Sequence, residues 1–494
     1  MPETTKTLAE LGLTAQGGAD PRIGGIAVDS RAVNPGYLFA ALPGSAAHGA
    51  AHVAGALAHG AAAVLTDREG ARIAGDEIAA AGAALVVAED VRQTLAFAAA
   101  LWSGRMPGTI VAVTGTNGKT SVATFARQIW AALGHDAVNV GTTGIEGAYT
   151  QPLQHTTPEP VTLHAALAAA ARAGVTHVAM EASSHGLDQR RLDGVPLEAA
   201  GFTNFSQDHL DYHESFEAYY AAKAGLFDRV LPEDGCAVLN IDDPRVADMR
   251  AVVAERGQDL VTVGRAPEAA LRIEGQRFDM TGQDLRFSWA GKPRMARLNL
   301  IGGFQADNVL MAAALVIAAG EEPAHVFDVL PELQGVRGRM QLAATRDNGA
   351  AVFVDYAHTP AALETALAAM RPHVMGRLAV VYGAGGDRDR GKRPLMGAAA
   401  RDGADVRIVT DDNPRSEDPA AIRSEILNSD PDAIEVGDRA EAILRAVDML
   451  EPGDALLIAG KGHETGQIVG GTVYPFDDVE QASVAVAALD GRVA

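Results

Sequence analysis

Residues 109–121 read TIVAVTGTNGKTS, and the rest of the chain is organised around this stretch. Its apolar, β-branched start predicts a buried strand over 109–114, and the pattern that follows predicts a helix over 122–133. Glycines in the turn between them let backbone N–H groups point at phosphate oxygens, and the helix N-terminus adds partial positive charge. Lys119 adds a full charge, and the Thr120 hydroxyl suits Mg²⁺. The stretch therefore predicts a nucleoside-triphosphate site.

This loop is shorter than the standard phosphate-binding loop. A Walker sequence has a glycine five residues before the glycine of Gly-Lys-Thr, and that position is Val113 here. The form present is Gly-x-x-Gly-Lys-Thr. An ordinary glycine-rich turn between a strand and a helix does not require Lys-Thr at the helix start, so a phosphate site is favoured.

The composition is that of a globular protein with several domains. A chain of 494 residues with 48% apolar and 21% charged residues predicts two to four domains. The first 13 residues lack a signal-peptide pattern, and the longest apolar run, about 309–320, is too short to span a membrane. The single cysteine, Cys236, excludes an internal disulfide and suits a reducing cytoplasm. We therefore expect a cytoplasmic protein without a membrane span.

The formal net charge of −22 argues against nucleic acid or an anionic membrane as the main partner. It also constrains the substrate site. If the substrate is anionic, a few Arg and Lys side chains must reverse the field of the whole protein locally.

Strands and helices alternate along most of the chain, which predicts an α/β fold of three domains. The first is an N-terminal α/β domain. The second is a mostly parallel sheet that opens with the phosphate loop and carries an appended hairpin over 271–290. The third is a Rossmann-like, doubly wound domain. The predicted boundaries are 1–104, 105–335 and 336–494.

Each main strand of the third domain ends in chemically active residues. In a doubly wound sheet, ligands bind at the carboxyl ends of the strands. Four such ends on one edge predict a binding pocket, and they are Asp355–His358, Gly383–Arg388, Asp411–Arg415 and Gly460–Glu464.

The chemistry of these ends points to a zwitterionic ligand such as an amino acid. Arg388, with Arg390 and Lys392, forms a candidate anion site in a glycine-rich segment. Arg415, fixed behind Pro414, offers a bidentate fork to a carboxylate. Glu464 could pair with an ammonium group.

Three features of the second domain are candidates for metal binding. Glu181 ends a predicted strand in the same sheet as the phosphate loop, where a carboxylate can hold Mg²⁺. The segment 203–213 is rich in Asn, Asp and His, and spacing alone leaves open whether it binds a metal. Lys223 lies on an alanine-rich helix, where a lysine is ordinarily solvated.

Taken together, these motifs resemble the Mur ligases of peptidoglycan synthesis. The resemblance covers essentially the whole chain, in the order of the family, although single motifs are shared with folylpolyglutamate synthases. The residues that carry it are Gly115–Thr120, Met180–His185, Asp208–His213, Ala221–Lys223, Gly338–Met340, Asp355–Pro360 and Asp412–Arg415.

The resemblance implies the residues that bind ATP and Mg²⁺. Lys119, Lys223, His209 and Glu181 would be catalytic, and Lys223 would be carbamylated, which turns a cation into a carboxylate-like ligand. Mg²⁺ would be held by Thr120, Glu181, His209 and Lys223. ATP would be bound by Gly115, Thr116, Asn117, Gly118, Lys119, Thr120, Ser121, Asn308, Arg339 and Asp355.

The resemblance also implies three groups of substrate-binding residues. The uridine and diphosphate would meet Val28, Ser30, Ser45, Ala46 and Ala47. The muramoyl-dipeptide would meet Thr156, Thr157, Ser183, Gln189 and Arg191. The incoming amino acid would meet Arg388, Asp412, Asn413, Pro414, Arg415, Gly460 and Glu464.

The implied activity is that of an ATP-dependent, ADP-forming ligase. It would join meso-2,6-diaminopimelate to the D-glutamate of UDP-N-acetylmuramoyl-L-alanyl-D-glutamate through an acyl phosphate, and Asp412–Arg415 would select diaminopimelate over lysine. Alternatives are the same reaction with L-lysine, a folylpolyglutamate-synthase-like ligase, and an NTPase that switches partners by hydrolysis. A monomer is expected.

Overall fold

The computed structural model describes residues 5–44, 47–206 and 212–491. The chain divides into two compact units, Met1–Ala269 with Met311–Val326, and Ala270–Leu310 with Phe327–Ala494. Within the described ranges, none of the helices combines the length and apolar character needed to cross a membrane. The three domain boundaries drawn from the sequence stay a prediction.

After a short antiparallel pair, Lys6–Thr7 with Arg22–Ile23, the first unit contains a four-stranded, fully parallel sheet. Both faces are apolar: Leu38 and Leu65 pack into one core, and Phe39 and Val64 pack into the other. Burial on both faces is typical of parallel sheets covered by helices. The strands are Gly25–Ala27, Tyr37–Ala40, Ala63–Thr66 and Ala84–Val87, and the helices are Val53–Ala58, Arg68–Ala80 and Val91–Ser103.

The central sheet of the first unit is parallel except for one edge strand, Gly144–Gly147, which runs antiparallel to its neighbour. Glu181 aligns with Val113, so it lies beside the end of the strand that leads into the phosphate loop. In spatial order the strands are Asp259–Gly264, Cys236–Asn240, Ala199–Phe202, Thr109–Thr114, His177–Glu181, Ala137–Gly141 and Gly144–Gly147.

The helices of this region follow the predicted alternation. The predicted strand at 109–114 is confirmed, but the next helix begins at Lys119 instead of 122. Gly118 is the N-terminal cap in a left-handed conformation, so Lys119 and Thr120 already lie in the first turn. The helices are Lys119–Ala132, Pro160–Arg172, Ser184–Asp188, Phe216–Gly225 and Val246–Glu255, and the chain continues later through Phe304–Ala318 and Pro323–Asp328.

The hairpin predicted over 271–290 is present and continues into a third antiparallel strand. The third strand contains Pro293, and its apolar residues Met295, Ala296 and Leu298 do not alternate with polar ones, so its period-two pattern is weak in the sequence. The strands are Leu271–Asp279, Gly282–Trp289 and Lys292–Leu298.

The second unit also holds a six-stranded, doubly wound sheet, as predicted. Its first strand is an antiparallel edge and the other five are parallel. In spatial order the strands are Gln341–Thr345, Ala351–Asp355, Ala455–Ala459, Leu378–Tyr382, Val406–Val409 and Ile434–Glu435. The helices are Pro360–Met370, Lys392–Gly403, Pro419–Leu427, Arg439–Asp448 and Asp478–Leu489, and a hairpin pairs Gly466–Val469 with Thr472–Pro475.

Candidate active site

The phosphate loop has a backbone shape that requires glycine at its first position. Gly115 has φ of +146°, and a Cβ atom there would collide with the Thr203 hydroxyl and come within 3.0 Å of the Asn204 carbonyl oxygen. A side chain at this position would therefore be strained and would push the loop off its neighbour. The close approach explains why the turn begins with glycine.

A second segment, 203–206, fixes the loop from the side. The Thr116 amide donates to the Asn204 carbonyl at 2.8 Å, and the Asn117 amide donates to the Asn204 side-chain oxygen at 2.9 Å. The Thr203 hydroxyl donates to the Asn117 carbonyl at 2.6 Å. These bonds define the loop shape from residues about 90 positions away in sequence.

Lys119 places its charge at the loop itself. Its Nζ donates to the carbonyl oxygens of Gly115 and Thr116, each at 2.9 Å. An ammonium held there lies at the loop that the sequence predicts to bind phosphate.

Glu181 and Thr120 form the polar centre of the site. The Thr120 hydroxyl donates to Glu181 Oε2 at 3.0 Å, and the Thr142 amide donates to Oε1 at 3.0 Å. Glu181 is only 2% exposed, and the Thr157 hydroxyl donates to its carbonyl oxygen at 2.9 Å. A carboxylate and a hydroxyl at hydrogen-bond distance make an oxygen-rich ligand set, which is the chemistry that Mg²⁺ prefers.

Lys223 departs from the ordinary expectation of a solvated lysine. It is 1% exposed, on the helix Phe216–Gly225. Its Nζ donates to the Gly115 carbonyl at 2.7 Å and lies 4.5 Å from the centre of the Tyr219 ring. The structure therefore brings Lys223 to the phosphate loop. His209, the fourth predicted ligand, lies outside the described residues.

A cleft of about 170 Å³ opens in the first unit and holds three of the predicted substrate residues. They are Val28, Gln189 and Arg191, which come from separate parts of the chain. Ser30 and Ala47 are not among its lining residues, and Ser45 and Ala46 lie outside the described ranges. The lining residues are Val28, Leu42, Arg92, Leu95, Glu159, Pro160, Gln189 and Arg191.

Arg191 links this cleft to the neighbourhood of Glu181. It donates to the Thr157 carbonyl at 2.6 Å and to the Gln189 side-chain oxygen at 2.8 Å. Burial lowers the pKa of its guanidinium, although arginine stays charged in proteins. Arg191 therefore supplies positive charge inside a strongly acidic protein, which is the local reversal expected for an anionic substrate.

The remaining predicted dipeptide residues lie near Glu181. The hydroxyls of Thr156 and Thr142 share a hydrogen bond of 3.0 Å. The Ser183 amide donates to the Thr157 hydroxyl at 3.1 Å, and the Ser183 hydroxyl caps the following helix. Thr156, Thr157 and Ser183 therefore lie on one edge of the sheet.

In the second unit, several residues predicted to bind the incoming amino acid lie together around Asn413. Its side-chain amide donates to Glu464 Oε2 at 3.0 Å, and its side-chain oxygen accepts from Lys461 Nζ at 2.9 Å and from the Ile468 amide at 3.0 Å. Asp412 Oδ1 lies 3.5 Å from Lys461 Nζ. The structure thus brings Asp412, Asn413 and Glu464 together.

Lys461 is a functional candidate that sequence reasoning missed. Its side chain is fully buried, and it also donates to the Gly466 carbonyl at 2.9 Å. Burial lowers the pKa of its ammonium, and the nearby Asp412 carboxylate opposes that shift. The only sequence signal was its place between Gly460 and Glu464, two predicted ligands.

Arg415 is positioned by its backbone as much as by its side chain. Its φ is +52°, its amide donates to the Ile468 carbonyl at 3.0 Å, and its carbonyl accepts from Gly470 at 2.7 Å. Its guanidinium donates to the Gly386 carbonyl at 2.7 Å. The hairpin 466–475 therefore holds Arg415 in a conformation that few residues other than glycine adopt.

Two of the predicted ATP residues of the second unit adjoin this group of residues. The Gly460 amide donates to the Asp355 carbonyl at 3.1 Å, and the Arg339 guanidinium lies 4.7 Å from the centre of the Tyr356 ring. Burial raises the pKa of the Asp355 carboxyl, and the Arg339 charge opposes that shift.

Two other predicted residues make hydrogen bonds to near neighbours in sequence. Asn308 donates to the side chain of Gln305 at 3.1 Å. Arg388 donates weakly to the Asp387 carbonyl, at 3.5 Å.

Comparison with known families accounts for most of the chain. The model "Mur ligase family, catalytic domain" matches residues 22–103, "Mur ligase middle domain" matches 113–316, and "Mur ligase, glutamate ligase domain" matches 338–462. The three matches follow one another in chain order and include the phosphate loop, Asp412, Asn413 and Lys461.

Full-length relatives agree with these matches. The chain is 50% identical to UDP-N-acetylmuramoyl-L-alanyl-D-glutamate–2,6-diaminopimelate ligase of Caulobacter vibrioides, covering 98% of this chain and all of the relative. A solved structure of a ligase with that name is 35% identical, with a TM-score of 0.73, and covers 98% of this chain and 99% of that one.

A more distant structure shares the fold. MurF ligase from Thermotoga maritima, solved in complex with ADP, is 18% identical with a TM-score of 0.61, covering 95% of this chain and 98% of that one. With three domain matches in order and half-identical relatives along its whole length, the chain belongs to the Mur ligase family.

Proposed function

We propose that this chain joins 2,6-diaminopimelate to UDP-N-acetylmuramoyl-L-alanyl-D-glutamate, with ATP converted to ADP and phosphate. The observation that carries the proposal is 50% identity over 98% of the chain to a relative with that name. The phosphate loop supplies the ATP site that such a reaction needs, and the residues around Asn413 offer both signs of charge to an amino acid.

The chemistry couples amide formation to phosphoryl transfer. The substrate carboxylate attacks the γ-phosphorus of ATP, the bond to the β-phosphate oxygen breaks, and ADP leaves. The amine of diaminopimelate then attacks the acyl carbon, loses a proton, and phosphate leaves. The chain contributes positioning and charge neutralisation, with Lys119 at the phosphates and Arg191 at the anionic substrate.

Mg²⁺ fits the ligand set of this site. Thr120 and Glu181 offer oxygen atoms 3.0 Å apart in a buried setting. We infer that both would hold the ion together with His209 and Lys223. Mg²⁺ would neutralise the charge that develops on the phosphates.

Carbamylation of Lys223 would complete this set. An ammonium on a side chain that is 1% exposed is costly to bury, and a carbamate would replace it with a carboxylate-like oxygen ligand. Mass spectrometry of the intact chain under native conditions with bicarbonate tests this. A Lys223→Arg variant, which keeps a cation but cannot be carbamylated, would show no such adduct and little activity.

The Arg415 guanidinium is proposed to determine which amino acid the chain uses. Diaminopimelate carries a second carboxylate that lysine lacks, and a guanidinium held by Gly386 and the hairpin 466–475 could bind that carboxylate. Meso-diaminopimelate is therefore the proposed substrate.

A phosphate-release assay tests the proposal directly. The purified chain is given ATP and Mg²⁺ with or without the UDP-dipeptide, and with meso-diaminopimelate, L-lysine or L-glutamate. We expect release only with the UDP-dipeptide and meso-diaminopimelate, and a product whose mass is the sum of the two less one water. Preference for lysine would contradict the proposed role of Arg415, and release without the UDP-dipeptide would contradict the ligase.

A further inference from the structure

Three potential metal ligands of the first unit lie together, away from the phosphate loop. His177 begins the strand His177–Glu181, whereas Glu181 ends it at the catalytic edge. Four residues of extended chain span about 13 Å. His135, His177 and Glu321 therefore form a cluster at the opposite edge of the sheet, which the proposed reaction does not use.

The three side chains are close enough to share an ion. One nitrogen or oxygen from each lies within 4.8 Å of the others. His135 Nε2 is 2.7 Å from Glu321 Oε1, and the His135 and His177 rings are 4.1 Å apart between centroids. The side chains of His135 and Glu321 are 33% and 22% exposed, so an ion could enter from solvent.

The backbone brings His135 and Glu321 to this place in the same way. Each follows the left-handed glycine that ends a helix, with φ of 92° and 106°. The His135 amide donates to the Trp130 carbonyl at 2.9 Å, and the Glu321 amide donates to the Val316 carbonyl at 3.3 Å. Both are Schellman endings, so two helix C-termini contribute partial negative charge at the cluster.

His177 is oriented by its neighbour. Thr176 uses its hydroxyl proton in a bond to the Asp136 carbonyl at 3.2 Å, so its oxygen is an acceptor for His177 Nδ1 at 2.8 Å. A proton on Nδ1 leaves the lone pair on Nε2. An outer partner that fixes the tautomer in this way is typical of metal-binding histidines.

We propose that His135, His177 and Glu321 bind one divalent transition-metal ion of the zinc class. Two imidazoles and one carboxylate form a ligand set suited to Zn²⁺, Co²⁺ or Ni²⁺, with a fourth position for water. In a tetrahedral site, ligand atoms lie about 3.3 Å apart. The His135–Glu321 separation of 2.7 Å therefore has to open by about 0.6 Å, which side-chain rotation provides.

The ion would act as a cross-link. His135 follows one helix, Glu321 follows another, and His177 begins a strand, so a single ion would join three segments that are distant in sequence. Binding to the folded state alone raises stability. The net charge of −22 favours cation binding in general, so the test must separate this site from non-specific binding.

The test measures metal binding by the full-length chain. Protein stripped with chelator is dialysed against one equivalent of Zn²⁺ in excess Mg²⁺ with ADP, which occupies the nucleotide site. We expect one retained zinc per chain, an increase in melting temperature, and, with Co²⁺, the visible absorption of a tetrahedral ion. His177→Ala and Glu321→Gln should lose all three, whereas His325→Ala, which removes an exposed histidine nearby, should lose none.

The Thr176 hydroxyl, which contacts His177 without being a metal ligand, allows a second test with a smaller expected effect. Thr176→Val removes the bond to Nδ1 but no ligand, so zinc affinity should fall roughly tenfold. Circular dichroism shows that each variant is folded. The proposal is overturned if the wild-type chain retains no zinc, or if His177→Ala and Glu321→Gln retain as much as His325→Ala. Failure of the ligase assay leaves this outcome unaffected, because binding is measured without turnover.

Discussion

Lys223 and Lys461 are both buried, yet their ammonium groups have different surroundings. Lys223 meets a backbone carbonyl and an aromatic face, whereas Lys461 meets two oxygen acceptors and the Asp412 carboxylate. Burial beside a carboxylate favours retention of a charge. Lys461 is therefore suited to a fixed cationic role.

Lys461→Met tests that fixed role. Removing the ammonium leaves Asp412 and the Asn413 oxygen without their buried partner, which should reduce the free energy of unfolding by about 3 kcal/mol. The KM for diaminopimelate should rise, with the KM for ATP unchanged. Steady-state kinetics and thermal melting measure both.

Arg346→Met is the matched control for Lys461→Met. It breaks an ion pair with Asp490 of 2.7 Å in the same unit, without touching the residues around Asn413. It should lower stability and leave the KM for diaminopimelate unchanged. Equal KM changes in the two variants would contradict a positioning role for Lys461.

The Thr120 hydroxyl gives a second residue-scale prediction. Thr120→Val removes the donor to Glu181 and a proposed Mg²⁺ ligand, so kcat should fall roughly a hundredfold. Thr120→Ser keeps the hydroxyl and should retain most of the activity. Equal rates for the Val and Ser variants in the phosphate-release assay would show that the hydroxyl has no part in the reaction.

Among elements, the phosphate loop was the most predictable from sequence, because its chemistry lies in consecutive residues. Gly115, Lys119 and Thr120 are found where their order placed them. Arg92 and Glu159 of the substrate cleft were missed, because only the folded chain brings them together. The third strand after the predicted hairpin was missed because Lys292–Leu298 contains a proline and does not alternate between apolar and polar residues.

The loop supports an element-scale prediction with an internal control. Gly115→Ala places a methyl group against Thr203 and strains a φ of +146°, which costs about 1–3 kcal/mol from the backbone alone. ADP binding should weaken roughly tenfold or more. Gly108→Ala, just before the same strand, meets nothing within 4 Å and should bind ADP normally by calorimetry. Normal binding by Gly115→Ala would contradict the loop geometry.

An ion pair joins the helix Lys392–Gly403 to Glu417 and should respond to pH. Arg393, fully buried, donates to Glu417 at 2.8 Å and to Glu425 at 2.9 Å. The bond from Arg393 lowers the pKa of Glu417 to about 2. The folded state therefore binds its proton less readily than the unfolded state, and the pair stabilises the fold above about pH 4.5.

Glu417→Gln should reveal this dependence. At pH 7 the variant should be less stable than the wild type, and the difference should shrink as the pH falls from 4.5 towards 2, because the wild-type carboxylate is then protonated. Urea unfolding at several pH values measures it. A stability difference that stays constant with pH would contradict the ion-pair explanation.

For the whole molecule, each compact unit contains a hydrophobic cluster of its own. Val138 lies in the core of the first unit, and Val380 lies in that of the second. Calorimetry should therefore show two unfolding transitions, because domains with their own cores unfold as units. Val138→Ala and Val380→Ala should each lower the melting temperature of only one transition, because each reduces the free energy of unfolding of one unit by about 2–3 kcal/mol.

Nucleotide binding should identify the transitions. MgADP should raise the melting temperature of the transition that Val138→Ala lowers, since a ligand stabilises the unit that binds it. The transition that Val380→Ala lowers serves as the internal control. A single transition moved by both substitutions would contradict independent cores.

The hairpin 466–475 has a consequence for how amino-acid preference can evolve. It fixes the backbone of Arg415 through two hydrogen bonds, and Asn413 through a third, although some fifty residues separate the segments. If only Arg415 is substituted, the hairpin still holds the backbone of that residue in the left-handed conformation, which the new side chain has to adopt. New specificities in related enzymes should therefore arise by exchanging the two segments as a pair, and grafting both together is the shorter route to a redesigned ligase.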